Sequence, residues 1–113
     1  LKTVGVVSLL LVSAGCTTSS RPLTPADEAD RDAALNQLLS CLDRNVSRLD
    51  DGVSDATTIS VALVDGPCAP ETAAALETHS RNLSPLARRK FYDMATAQYE
   101  LGLAVVLKHR ARR

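Results

Sequence analysis

Between Pro25 and Asp51 apolar residues return every three or four positions, at Leu35, Leu38, Leu42, Val46 and Leu49, with Leu39 widening the stripe. Asp43, Arg44 and Arg48 fall outside it, so the pattern describes a helix with one apolar face and one wet face. Both ends are marked. Thr24 suits the N-cap, Pro25 the first helical position, and Asp27, Glu28 and Asp30 put negative charge in the first turns, where the helix dipole favours it. Gly52, after Asp50 and Asp51, is a C-terminal stop, and the spacing predicts a long helix over 25–51.

The next stretch reads two ways. Ser54 can cap a helix with Asp55 in its first turn, yet Thr58 to Val64 is rich in β-branched residues and alternates Ile59, Val61 and Leu63 as a strand would. A strand needs a partner, and the only other strand-like run after the N-terminal segment, Leu103 to Leu107, continues a helical pattern. Helix is the better reading. Asp65-Gly66-Pro67 then breaks the chain, and a short Ala-rich helix opens at Pro70, with Glu71 in its first turn and Ala73, Ala74, Leu76 and Leu83 to pack. Ser84-Pro85 repeats the cap-plus-proline start and predicts a long fourth helix through Phe91, Met94, Leu101, Val105 and Val106 to about Arg110. The expectation is an all-α fold, a small helical bundle of about four helices, two long and two short.

The beginning of the chain has a different pattern. Lys2 precedes an apolar run from Val4 to Val12, and Ser13-Ala14-Gly15 follows as a small-residue segment. This is the layout of a secretory signal peptide, and the run is shorter than the roughly 20 residues a transmembrane helix needs. Ala14-Gly15-Cys16 resembles the lipobox of bacterial lipoprotein precursors, in which the Cys after a small residue is lipidated and becomes the first mature residue. Ser13 departs from the usual Leu of that motif, with Leu11 and Val12 just upstream. The resemblance covers only residues 1–16. It implies a signal peptide over 1–15, a diacylglyceryl thioether on Cys16 with an N-acyl chain such as palmitate, a lipidated tether over 16–23 and a helical domain over 24–113. Several acyl chains anchor far more firmly than one, so attachment would be lasting. Thr17, where an Asp would retain many lipoproteins at the inner membrane, implies the outer membrane in a Gram-negative host, and otherwise the cell membrane; either way the protein sits lipid-anchored at the periplasmic face.

Cleavage before Cys16 removes 15 of the 113 residues and leaves 98, enough for one core. With no Trp, one Phe and two Tyr, that core is built mostly of Leu, Val and Ala. A domain of this size is often helped by a staple. If lipid consumes Cys16, the odd count of three cysteines becomes the pair Cys41 and Cys68, and export makes a disulfide its default fate. Closing that loop constrains the unfolded chain by about 3.5 kcal/mol. Cys41 to Gly52 spans about 16 Å of helix, and a return helix over 55–65 brings Cys68 level with Cys41, whereas a strand, rising about 3.3 Å per residue, would overshoot about twofold. With no Cys-x-x-Cys, and with His79 and His109 at no ligand spacing, a metal or redox role for the pair is not supported.

Charge divides the chain. Residues 17–65 carry nine acidic and four basic side chains, and residues 66–113 carry four acidic and eight basic. The simplest consequence is attraction between helices, with Lys108, Arg110, Arg112 and Arg113 complementing the negative end of the last helix. The functional alternative is an anionic-ligand patch of Arg88, Arg89, Lys90, Lys108, Arg110, Arg112 and Arg113 that grips phospholipid, lipopolysaccharide or peptidoglycan. The chain does not fit a nucleic-acid partner, because basic residues are few and no aromatics interleave with them. No nucleophile elbow or Gly-rich phosphate loop is present, so no catalytic residue, cofactor or metal site is assigned. The sequence therefore points away from an enzyme and toward a structural or interaction module facing an envelope protein.

Overall fold

The computed structural model describes residues 20–113, so the signal peptide and Cys16 lie outside the described residues. Five helices are present among them: α1 Pro25–Leu49, α2 Ala56–Asp65, α3 Ala69–Ser80, α4 Pro85–Met94 and α5 Ala97–Ala111. The fold is all-α, a small helical bundle with one disulfide.

The start of α1 is fixed by its own sequence. Thr24 Oγ1 accepts the Asp27 N–H at 3.1 Å while Asp27 Oδ2 accepts the Thr24 N–H at 3.0 Å, a reciprocal capping box with Asp in the third position. Arg21 adds two hydrogen bonds to the same carboxylate, at 2.6 and 3.1 Å. The Arg21 guanidinium first, and the Thr24 backbone N–H second, hold Asp27 well below the usual carboxylate range. At the other end, the Asp50 N–H donates to Val46 O at 2.8 Å, and Gly52 turns the chain at φ +72°, where other residues are strained. Asp51 then accepts from the Val53 and Ser54 N–H groups and the Ser54 hydroxyl, so Ser54 serves the turn, and Asp55 occupies the N-cap of α2.

Burial decides the ambiguous stretch. In α2, Ala56, Ile59, Ser60, Leu63 and Val64 are buried, whereas Val61 is exposed, which is a helical period and the reverse of strand alternation. The hydroxyl of Ser60 is satisfied by the Tyr99 carbonyl at 2.6 Å. Gly102 of α5 lies against Ser60 and Val64, so two small residues let α2 and α5 approach closely and form the most extensive helix pair.

The fourth helix departs from the expected long one. It is divided at Ala95 and Thr96, with Ala95 extended at φ −69°, ψ 116°, and the Gln98 amide donates to the Ala95 carbonyl at 3.1 Å. Apolar or core-facing positions continue in phase across the break, through Ala87, Phe91, Ala95, Gln98 and Gly102, and no Gly or Pro marks it. Tertiary packing makes the difference. Past the break α5 packs on α2 and α1, while α4 leans chiefly on α3.

The core is Leu38, Leu42 and Val46 of α1, Ile59, Leu63 and Val64 of α2, and Val105 and Val106 of α5, with Ala34, Ala56 and Ala75 at its edges. Cys41 and Cys68 are both buried in it, joined by a disulfide with a Cα–Cα distance of 5.8 Å. The bridge ties the middle of α1 to the N-cap of α3, the closure expected from a helical return.

Candidate functional surfaces

The seven basic residues singled out in the sequence do not form one patch. Arg88, though exposed, folds back along the surface and donates to the carbonyls of Ser80 at 3.3 Å and Arg81 at 2.9 Å, where it satisfies the C-terminal end of α3. Arg89 and Lys90 of the same helix are exposed. Arg110 is also committed, with two nitrogens on Asp50 at 2.8 to 3.2 Å and a further bond to the Ser54 carbonyl at 2.6 Å. Arg113 stands 3.7 Å from the same carboxylate. Asp50 is enclosed by these groups; Arg110 first, and then the Gly52 N–H, hold its carboxyl down to about 2. Lys108 and Arg112 line a shallow recess with Asp43 and His109.

These groups sit at opposite ends of the bundle. Arg81, whose carbonyl Arg88 caps, pairs with Asp30 near the start of α1, whereas Arg110 pairs with Asp50 at its end. Twenty residues of helix separate the two acids, about 30 Å. Part of the charge asymmetry of the two halves is thus spent on joining them, through Arg81 with Asp30 and through Arg110 and Arg113 with Asp50. Arg31 contributes similarly, with donors on the carbonyls of Thr78 and His79 and on Asn82 Oδ1.

One recess was not legible in the sequence. Leu35 and Leu38 of α1, Leu76 of α3, Phe91 of α4 and Leu101 of α5 line an apolar cleft of about 170 Å³. His79 and Gln98 are its polar neighbours. His79 Nδ1 lies 2.7 Å from the Ala75 carbonyl, which requires that nitrogen to carry the proton. Gln98 is buried and its Oε1 has no partner among the described residues. The lining suits an apolar group and presents no nucleophile beside a base. Among the described residues no group of three or more His, Cys, Asp or Glu is placed to hold a metal ion, and no helix is long and apolar enough to cross a membrane.

Comparison with protein-family models, with curated proteins and with solved structures gives no match to this chain.

Proposed function

We propose that the chain is the precursor of a lipid-anchored envelope protein whose disulfide-stapled helical domain serves as a structural or protein-interaction module. The observation that carries the reading is the use of cysteine. Three are present, and Cys41 and Cys68 are spent on each other inside the core, leaving Cys16 as the one remaining thiol, at the position the lipobox resemblance reserves for lipid. An internal disulfide suits an exported protein. The second reading, a grip on anionic polymers through the basic C-terminal helix, is weakened because Arg110 is occupied by Asp50 and Ser54.

Fractionation tests the anchor and crosslinking tests the role. The native protein stays with membranes through a high-salt wash, and Cys16→Ser moves it to the soluble fraction. Photocrosslinking from the exposed surface in cells recovers a discrete envelope protein. Retention of the Cys16→Ser variant on membranes would overturn the anchor, and turnover of a substrate without any crosslinked partner would overturn the module reading. Loss of sedimentation with envelope fragments after Ala replacement of Lys108 and Arg112 would favour the second reading.

A further inference from the structure

The described part of the tether is docked beside the start of α4. The Arg21 N–H donates to the Asn82 carbonyl at 2.8 Å, Asn82 Nδ2 donates back to the Arg21 carbonyl at 3.2 Å, and the Ser84 N–H donates to Ser20 Oγ at 3.3 Å. Ser84 is the N-cap of α4. Cys16 precedes Ser20 by four residues, which span at most about 14 Å. A lipid on Cys16 therefore holds the α3–α4 junction within that distance of the headgroups, while the far end of α1 is about 37 Å of helix away.

The helix brought there is unlike the others. None of its residues is buried. Ala87, Phe91 and Ala95 face the bundle, and Leu86, Lys90 and Met94 follow one another, a turn apart, along an exposed flank about 100° round the helix, with Arg89 and Asp93 pointing most directly away from the bundle. Leu86 is 64% and Met94 77% exposed, large apolar side chains turned to solvent. Arg89 and Lys90 lie beside them, Arg88 is committed to the carbonyls of Ser80 and Arg81, and Asp93 is the one acid of the helix. Apolar side chains interleaved with cations are what an in-plane helix presents to an anionic bilayer surface.

We propose that α4 is the membrane-facing surface of this protein, lying on the anionic phospholipid leaflet that carries the anchor, with Leu86 and Met94 entering the headgroup region and Arg89 and Lys90 on the phosphates. The proposal rests on the anchoring reading, and it fixes which way the domain stands. The recess of Lys108 and Arg112, together with the α1–α2 turn, faces away from the membrane and is open to partners.

The chain has no Trp, so a single introduced one reports its own surroundings. Leu86→Trp, Met94→Trp and, as a control in the α1–α2 turn, Val53→Trp (Val53 is 90% exposed) change exposed side chains only. The lipidated mature proteins are reconstituted into phosphatidylcholine–phosphatidylglycerol vesicles containing brominated lipid. Flotation with the vesicles, lost in Cys16→Ser, reports the anchor independently. The expected result is blue-shifted, bromine-quenched emission from positions 86 and 94 and unshifted, unquenched emission from position 53. Arg89→Ala with Lys90→Ala weakens the surface-bound state of α4 about fivefold per charge in anionic vesicles, seen as lost quenching at position 86. Flotation with equal quenching at all three positions would overturn the proposal and leave the anchor standing. Emission that shifts only in native envelope membranes would assign the face to a protein partner and also overturn it. Failure to float would remove both readings together.

Discussion

Breaking the Cys41–Cys68 bridge is the perturbation whose size follows most directly from the structure. The two residues are 27 apart in sequence, and closing such a loop lowers the entropy of the unfolded chain by an amount worth about 3.5 kcal/mol at 25 °C. Small domains have a total stability of about 5–15 kcal/mol, so reduction removes a large share of it. Replacing both cysteines with Ala also deletes two sulfur atoms from a buried site, adding about 1 kcal/mol for the cavity. The assay is urea unfolding by circular dichroism in a Cys16→Ser background, comparing oxidised protein, reduced protein and the Cys41→Ala, Cys68→Ala variant. At a slope of about 1.2 kcal/mol/M, the midpoint falls by about 3 M on reduction and further in the double variant. The slope itself rises, because the unbridged unfolded chain is more expanded. A loss below about 1 kcal/mol with an unchanged slope would refute the reasoning, because it would mean the bridge hardly restricts the unfolded chain.

Two further predictions concern the joints between helices. A Cβ on Gly102 would collide with Ser60 Oγ and crowd Val64, so Gly102→Val destabilises by roughly 2 kcal/mol, and Ser60→Ala in the same chain recovers part of the loss; strictly additive effects in chemical denaturation would contradict the close crossing. Asp50 and Asp27 have folded-state carboxyls depressed below their unfolded values, so their stabilising contributions are complete above about pH 4; that of Asp50 is lost as pH falls to about 2, and that of Asp27, held lower still, persists into more acid solution. Thermal unfolding followed from pH 5 to pH 2 shows this as a falling Tm, with a shallower fall in Asp50→Asn; an identical pH profile for that variant would place the pH sensitivity elsewhere.

The parts of the fold legible in the sequence are those carried by local chemistry. Thr24, Pro25 and Asp27 announce the start of α1, and its Leu and Val stripe is the face that packs. The cysteine count, once Cys16 is set aside, names the bridge that forms. The α2 stretch was ambiguous because Ile59, Val61 and Leu63 satisfy a strand period; the deciding fact is the burial of Ser60 under Gly102, forty-two residues along the chain. The break before α5 left no local trace, since the core-facing positions stay in phase across it. The individual partners of the basic residues are hidden in the sequence for the same physical reason. Arg110 finds its acid sixty residues away, and Arg88 spends its charge on backbone carbonyls that no sequence pattern displays. The docking of Ser20 and Arg21 against Asn82 and Ser84, on which the proposed orientation of α4 rests, likewise has no sequence signal.

The central claim, an anchored domain whose three cysteines have two different fates, is tested most directly by the intact mass of the mature protein purified from membranes, taken before and after reduction. The account predicts a chain beginning at Cys16 that carries the mass of a diacylglyceryl group, with or without an N-acyl chain, and gains two hydrogens on reduction. An unlipidated mass, or a free thiol at Cys41 or Cys68, would contradict it.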